Sequence, residues 1–175
     1  MTGGIQLAPH DPDWARAAAA EGAAITGALQ GLAVTVHHIG STSVPGLIAK
    51  PILDLLLEIG DLAALDARDG DLIGLGYEAM GAFGIPGRRY FRKDSAAGRR
   101  THQLHAFATG SEGARRHLAF RDYLRAHPEI AGEYGALKQR LVARTRDAEH
   151  YMDGKEGWVQ ATEAASLRWT AARLG

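Results

Sequence analysis

The chain has 175 residues, of which 20 are basic and 20 are acidic, and it contains no cysteine. That length fits one domain, and 46% hydrophobic with 23% charged residues is the composition of a protein that buries a core, which argues against a disordered chain. Disulfide bonds, thiolate metal sites and cysteine nucleophiles are excluded, and no apolar run reaches the roughly 20 residues that a membrane span requires.

Residues 11 to about 30 are predicted to form the first helix, with Asp11 as its N-cap and Pro12 at the first helical position. Two strands follow at 33–39 and 51–59, separated by a segment rich in glycine, serine and proline. The first strand places its side chains alternately on two faces, whereas the second is apolar enough to be buried on both faces except at Asp54 and Glu58.

More elements are predicted in the remainder of the chain. A helix at 61–75, beginning at Asp61, precedes three candidate strands at 77–80, 88–93 and 101–108, and helices at 111–126, 128 to about 147 and 150–173. This order predicts an α/β (α+β) core of about residues 1–110, with a mixed sheet in which strand 51–59 is central. A helical C-terminal extension of about residues 111–175 completes a single domain.

Charge is distributed unevenly along the chain. Residues 1–87 hold 3 basic and 10 acidic side chains, whereas residues 88–175 hold 17 and 10. A local basic group, which we call the 88–100 cluster, consists of Arg88, Arg89, Arg92, Lys93, Arg99 and Arg100. It could attract phosphate or RNA, although a solvated loop that balances the acidic half is the commoner explanation. A uniformly basic nucleic-acid-binding protein is disfavoured.

The clearest chemical pattern lies in residues 38–58, HIGSTSVPGLIAKPILDLLLE. Gly40 would let a phosphate approach the backbone, the hydroxyl groups of 41–43 could donate hydrogen bonds to it, and Lys50 could add positive charge. Asp54 interrupts an apolar strand, and a magnesium ion that bridges it to nucleotide phosphates would compensate its charge. A structural explanation is equally open, in which the hydroxyls satisfy turn amides and Asp54 pairs with a nearby base.

The same segment resembles the GrpB family, which belongs to the nucleotidyltransferase-like superfamily. The resemblance rests on the signature His38-Ile39-Gly40-Ser41-Thr42-Ser43-Val44-Pro45-Gly46-Leu47, followed by Ala49-Lys50-Pro51 and Asp54. It extends over nearly the whole chain, to 9–14, 84–93, 101–107 and 120–128, and to Tyr134 and Lys138. The family is also similar to the C-terminal domain that is fused to dephospho-CoA kinase in some bacteria.

Proteins of this superfamily place a Gly-Ser pair before a strand with Asp-x-Asp or Asp-x-Glu, add a third carboxylate from a later strand, and bind two Mg²⁺ ions. The resemblance implies catalytic roles for Ser41 and Asp54, with Asp54 as a Mg²⁺ ligand. The chain departs from the pattern at Leu56, where the second acid is expected. Glu58 cannot replace it, because four residues of strand separate it from Asp54 by about 13 Å. Strand 101–108 holds no acid for the third position.

Further phosphate-binding residues are predicted on that strand and on the helices. Gln103 and His105 share one strand face, which makes His105 a phosphate partner where the third carboxylate is expected. Arg121 and Arg125 lie four residues apart on one helix face with Asp122 beside them, although a salt-bridged surface is the commoner reason for such spacing. The predicted phosphate-binding set, expected to line one cleft, is Gly40, Ser41, Thr42, Lys50, Arg92, His105, Arg121 and Arg125.

Two tyrosine–lysine pairs have the same helical spacing, Tyr134 with Lys138 and Tyr151 with Lys155. The family resemblance supports a functional role less strongly for these pairs than for Arg121 and Arg125 of the preceding helix. For Tyr134 and Lys138, packing that braces one helix against the core is a sufficient explanation.

Three functions remain open at this level. The first is a magnesium-dependent enzyme that transfers a nucleotidyl or phosphate group. The second is a binding module that kept the phosphate pocket but lost the chemistry, with a nucleotide or a CoA-like molecule as ligand. RNA binding through the 88–100 cluster is third, so a nucleic-acid partner is disfavoured. We expect a phosphorylated small molecule, a nucleotide above all, as the partner, and a cytoplasmic protein without membrane contact, because the N-terminus lacks signal-peptide features.

Overall fold

Five strands form one mixed sheet in the computed structural model, which describes residues 4–175. The strands are β1 (Val34–Ile39), β2 (Leu53–Ile59), β3 (Tyr77–Ala79), β4 (Arg88–Asp94) and β5 (Arg100–Ala108). Their order is β1-β2-β5-β4-β3, with β2 and β5 parallel and the other neighbouring pairs antiparallel. The predicted mixed sheet is confirmed. The strand predicted as central, β2, lies inside the sheet, but β5 holds the middle position because β5, β4 and β3 all lie on the same side of β2.

Four of the five predicted helices are present with bounds that differ by up to three residues, and the fifth, at 61–75, is divided in two. The helices are α1 (Asp13–Ala28), α2 (Leu62–Asp66), α3 (Asp69–Ile73), α4 (Glu112–Ala126), α5 (Pro128–Arg144) and α6 (Ala148–Leu174), and a short 3₁₀ helix (Ser41–Ser43) follows β1. The first helix is preceded by Pro12 as its N-cap and not by Asp11, which accepts instead from the Asp13 backbone N–H at 2.9 Å. The last helix begins two residues before its predicted start, because Asp147 caps it by accepting from the His150 backbone N–H. Within residues 4–175, no helix has both the length and the hydrophobicity needed to cross a membrane.

The predicted single helix at 61–75 is wrong, since the chain forms two short helices there. Asp61 caps the first of them, as expected, by accepting a backbone hydrogen bond at 2.9 Å. The break occurs at Arg68, whose guanidinium donates to two backbone carbonyls at the C-terminal end of α1, at 3.0 and 3.3 Å. These long-range hydrogen bonds hold Arg68 in a non-helical conformation and join α3 to α1.

Different helices cover the two faces of the sheet. The odd-numbered residues of β2 pack against α1, α2 and α3 in the main hydrophobic core, with Leu55 and Leu57 fully buried. The even-numbered residues lie on the opposite face, where Leu56 packs with residues of β5 and α4. Every residue of β2 is buried except Asp54 and Glu58, as the sequence predicts. Both carboxylates therefore lie on the face that is covered by the C-terminal half of the chain.

The C-terminal helices pack against the loop between β1 and β2. Val44 and Leu47 of this loop form an apolar cluster with side chains of α4, α5 and α6, including Leu124 and Tyr134. Tyr134 also stacks on Trp158 of α6, with ring centroids 4.5 Å apart. This packing brings α5 and α6 beside the turn that carries the Gly-Ser pair.

Candidate functional site

The turn after β1 lies directly over Asp54. Gly40 has φ +72° and ψ −176°, a combination that is essentially restricted to glycine. A Cβ atom at this position would lie 2.6 Å from Oδ2 of Asp54, so a side chain is excluded sterically as well. The following 3₁₀ helix is closed by the Ser43 backbone N–H, which donates to the carbonyl of Gly40 at 3.1 Å. Ser41 and Thr42 are thereby presented beside the carboxylate.

A cavity of about 180 Å³ opens between this turn, β2, β5, α5 and α6. Polar and charged groups predominate among the residues around it. They are Ser41, Thr42, Ala49, Lys50, Ile52, Asp54, Gln103, Lys138, Tyr151, Met152 and Lys155. The cavity thus contains four of the predicted site residues, and it adds side chains from the two C-terminal helices.

Three of the four lysines of the chain line this cavity, namely Lys50, Lys138 and Lys155. Lys138 is only 2% exposed, and its Nζ donates to Ser41 Oγ at 2.9 Å and to a loop carbonyl. Nζ of Lys155 lies 3.5 Å from a tyrosine hydroxyl of α5, and Nζ of Lys50 lies 4.8 Å from the ring centre of Tyr151. Three ammonium groups therefore share one cavity with one carboxylate, Asp54.

Burial and mutual repulsion make these ammonium groups costly to keep charged. Burial is the largest cause that lowers the pKa of Lys138 to about 7, and the charges of Lys155 and Lys50 lower it further. The pKa of Lys155 falls to about 8, again because of burial and then the charge of Lys50. Burial also lowers the pKa of Lys50. In all three cases the negative charge of Asp54 opposes the shift. An additional anion in the cavity would therefore relieve a repulsion that the fold maintains.

His105 lies beside Asp54 on the same face of the sheet, with its Nε2 3.6 Å from Asp54 Oδ1. Its ring lies between those of Tyr90 and His117, at centroid distances of 5.4 Å to each. Its Nδ1 is buried and has no hydrogen-bond partner among residues 4–175. Burial lowers the pKa of His117 to about 3, so this neighbour is neutral. His105 is placed to interact with Asp54, but it does not itself line the cavity.

Three arginines of the predicted set do not line this cavity, which corrects the prediction of one shared cleft. Arg92 is paired with Glu78 at 2.6 Å on the neighbouring edge strand. Arg121 donates to the carbonyl of His38 at 3.3 Å, and Arg125 donates to the carbonyl of Ser43 at 2.8 Å. From α4, Arg121 thus binds the backbone near the end of β1, Arg125 binds the backbone of the 3₁₀ helix, and neither lines the space beside Asp54.

The other members of the 88–100 cluster are largely engaged within the chain. Arg89 pairs with Asp66, Lys93 with Glu21, and Arg100 with Asp94. The guanidinium of Arg88 is buried and donates to two loop carbonyls. Asp66 and Glu21 belong to the acidic first half of the chain, and Asp94 lies at the end of β4, opposite Arg100 at the start of β5. These pairs support the interpretation of charge compensation over that of an RNA surface.

Sequence reasoning missed the contribution of α5 and α6 to the cavity. The helical spacing of Lys138 and Lys155 is equally typical of packing residues, and nothing in it links them to Gly40 and Asp54. One compositional signal was available: the chain has 16 arginines and only 4 lysines. Because the chain favours arginine so strongly, each lysine indicates a position where arginine would not be equivalent. The lysine ammonium is a compact donor, and its pKa shifts readily.

The described donor groups do not fit the two-ion site of the superfamily. Among residues 4–175, Asp54 is the only carboxylate that lines the cavity, and Gln103, an uncharged amide, lies opposite it on β5. Leu56 is fully buried in the core, and Glu58 is engaged with His37 at 2.9 Å and with a backbone N–H at 2.9 Å. No group of three or more His, Asp or Glu side chains within residues 4–175 is arranged to hold a metal ion. Hard cations such as Mg²⁺ need oxygen ligands, and the three ammonium groups would repel them.

Comparison with known proteins places this geometry in a family. The family model for GrpB protein matches residues 4–165. The chain belongs to the GrpB family. A crystal structure of conserved protein GrpB from Enterococcus faecalis has a TM-score of 0.88 and 37% identity, over 94% of this chain and 99% of that one.

Curated relatives of this GrpB chain differ widely in length. UPF0157 protein YqkA of Bacillus subtilis is 44% identical over 80% of the chain, which covers 40% of YqkA. UPF0157 protein BH1888 of Halalkalibacterium halodurans is 37% identical over 89% of the chain and 79% of its own length. A dephospho-CoA kinase of Mycolicibacterium paratuberculosis is 27% identical over 94% of the chain and 46% of the kinase. The chain therefore spans less than half of two of these proteins.

More distant structures show the fold. Structures of the Cid1 poly(U) polymerase bound to MgGTP and to Mg 3′-dATP have TM-scores of 0.50 and 0.51, each at 11% identity over 70% of this chain. The predicted nucleotidyltransferase-like fold is thus confirmed. At this identity the likeness concerns the fold alone and not the residues of the cavity.

Proposed function

We propose that the cavity beside Asp54 binds a phosphorylated small molecule, with nucleotides as the favoured class. The observation that carries this proposal is the convergence of Lys50, Lys138 and Lys155 on one cavity, in a chain that contains only four lysines. Buried like charges are costly unless an anion compensates them, and Asp54 supplies only one negative charge. A phosphate group matches both the charge and the donor character of the site.

The turn completes the phosphate site in this proposal. Ser41 and Thr42 line the cavity, and the Ser41 hydroxyl accepts from Lys138 at 2.9 Å and donates its own proton to a phosphate oxygen. The Thr42 hydroxyl lies 2.8 Å from His38 Nε2, and it donates to phosphate when that nitrogen carries the ring proton. The helical arginines 121 and 125 act indirectly, because they anchor the backbone on the two sides of Gly40, at His38 of β1 and at Ser43 of the 3₁₀ helix. Their predicted role as phosphate ligands is replaced by this positioning role.

Fold and family favour a nucleotide over other phosphorylated molecules. Cid1, which shares the fold, has a structure with MgGTP bound, and two relatives of the chain are dephospho-CoA kinases. A CoA-like molecule, which is itself a phosphorylated adenosine, is therefore the alternative ligand. Transfer of a nucleotidyl group is the second candidate function, since Ser41 of the Gly-Ser pair and Asp54, the first carboxylate of the pattern, both line the cavity.

Thermal unfolding with added ligands tests the proposal. ATP, ADP, CoA and inorganic phosphate are added separately to the full chain. A compound that binds the native state raises the midpoint temperature of unfolding. At a free ligand concentration of 100 times Kd, it adds about 2.7 kcal/mol to the free energy of unfolding. Lys155→Met should weaken the effect of the best ligand about tenfold or more, because a charged hydrogen-bond donor is lost. Arg140→Met removes a charge from the exposed side of α5 and serves as the matched control. If none of the four compounds raises the midpoint, the proposed function is wrong.

A further inference from the structure

The charges around the cavity are the reverse of those in a metal site. Three ammonium groups face one carboxylate, and the positions where the superfamily would carry further acids hold Leu56 and Gln103. Glu58, the other acid on this face of β2, is held by His37 and a backbone N–H. The fold is thus retained, while the groups that would hold two divalent ions are replaced by groups that carry positive charge themselves.

We propose that the cavity takes its ligand as a metal-free polyphosphate anion, such as a nucleoside di- or triphosphate without bound Mg²⁺. This inference rests on the proposed function and deepens it by naming the ionic form of the ligand. Lys50, Lys138 and Lys155 supply the positive charge that divalent ions supply in metal-dependent members of the superfamily. A ligand that carries its own Mg²⁺ brings less negative charge and adds a cation beside three ammonium groups.

Asp54 acts as the counter-charge of the empty cavity in this arrangement. Its carboxylate favours the charged form of all three lysines, and His105 lies 3.6 Å away on its other side. Phosphate oxygens that enter the cavity compete with Asp54 for the same ammonium groups and are repelled by its charge. Removing that charge while keeping the shape therefore favours a metal-free anion, whereas it would weaken a ligand held through Mg²⁺.

The two arrangements predict effects of opposite sign in one titration. Calorimetry measures the affinity of the full chain for ATP and for inorganic tripolyphosphate, once with EDTA and once with excess Mg²⁺, at matched ionic strength. The metal-free site predicts that Mg²⁺ weakens ATP binding by about tenfold. Tripolyphosphate should behave in the same way, because the contacts are to phosphate and not to the base.

Two variants sharpen the result. Asp54→Asn should bind ATP several-fold more tightly than the wild type in EDTA, and Lys155→Met should bind it about tenfold more weakly. Arg140→Met is again the charge control, and far-UV circular dichroism verifies the fold of each variant. The Mg²⁺ dependence of the unmodified chain remains decisive even where a variant fails to fold.

Three outcomes separate this inference from the proposed function. Weaker binding with Mg²⁺ supports both. Binding that strengthens with Mg²⁺, and loses that gain in Asp54→Asn, overturns the metal-free inference and leaves the proposed function standing as a metal-dependent one. An absence of ATP and tripolyphosphate binding in both buffers overturns the inference and the nucleotide part of the proposed function together.

Discussion

Replacing Lys138 with methionine tests whether a buried ammonium is held in this structure at a cost to stability. The side chain is 2% exposed, and burial lowers its pKa to about 7 from the 10.5 of an exposed lysine. Between these two pH values the unfolded chain binds a proton that the native chain does not. The free energy of unfolding therefore increases as the pH rises through this window and is lowest near pH 7.

The structure sets the size of this effect. Each pH unit between the two pKa values changes the free energy of unfolding by up to about 1.4 kcal/mol. From about pH 7.5 to about pH 9.5, Lys138 therefore contributes an increase of at most about 3 kcal/mol. Methionine keeps the length of the side chain but binds no proton, so the variant lacks this part of the slope. It also loses the hydrogen bonds to Ser41 and a loop carbonyl, which costs about 1–3 kcal/mol for each unpaired group at every pH.

The slope is therefore the diagnostic quantity, and the absolute stability is not. Urea unfolding, followed by tryptophan fluorescence in phosphate-free buffers, gives the free energy of unfolding at about pH 7.5, 8.5 and 9.5. The difference between wild type and Lys138→Met should grow with pH by about 2–3 kcal/mol in favour of the wild type. Arg140→Met, in the same helix but exposed, should run parallel to the wild type. If the free energy of unfolding depends on pH in the same way in wild type and Lys138→Met, the conclusion that Lys138 is a buried ammonium with a lowered pKa is wrong.

Three further results are expected. Gly40→Ala should destabilise the chain by about 3 kcal/mol or more in chemical denaturation, because the backbone conformation excludes a side chain and a Cβ would meet a carboxylate oxygen at 2.6 Å. Gly46→Ala, with φ +78° in open space, should cost only about 1–2 kcal/mol. Gly113→Ala should lower the stability by about 1–3 kcal/mol, although alanine has the better helix propensity, because the new Cβ would overlap the ring of Phe107. Gly132→Ala, where the new Cβ meets no neighbouring atom, should raise the stability by about 0.5–1 kcal/mol. The affinity for ATP in EDTA should fall from about pH 7 to about pH 9, because Lys138 and Lys155, with pKa values of about 7 and 8, lose their protons in this range. Calorimetry in buffers of different ionisation enthalpy should then detect the uptake of protons when ATP binds.

Local sequence determined the part of the site that lies within one short segment. Gly40, Ser41 and Asp54 lie within one short segment that consists of the 3₁₀ helix, the following loop and the start of β2, so one sequence motif and strand alternation were enough to predict them as one site. The same alternation placed His105 on the face shared with Gln103, and the apolar pattern of β2 identified Asp54 and Glu58 as its two partly exposed residues. Family resemblance added the fold, because its motifs extend over nearly the whole chain.

Only the tertiary structure decided which distant side chains reach the cavity. Lys138 and Lys155 follow Ser41 by about a hundred residues, and their helical spacing says nothing about which neighbour the helix face will meet. That choice depends on the packing of α5 and α6 against the loop between β1 and β2, which buries apolar side chains far apart in sequence. The same packing brings Arg121 and Arg125 to the backbone carbonyls of His38, which is half-buried, and Ser43, which is buried, and polar groups that lose contact with water need hydrogen-bond partners within the protein. Short-range propensity fixes the local backbone, whereas the charge balance of the site is a property of elements that meet only in the folded chain.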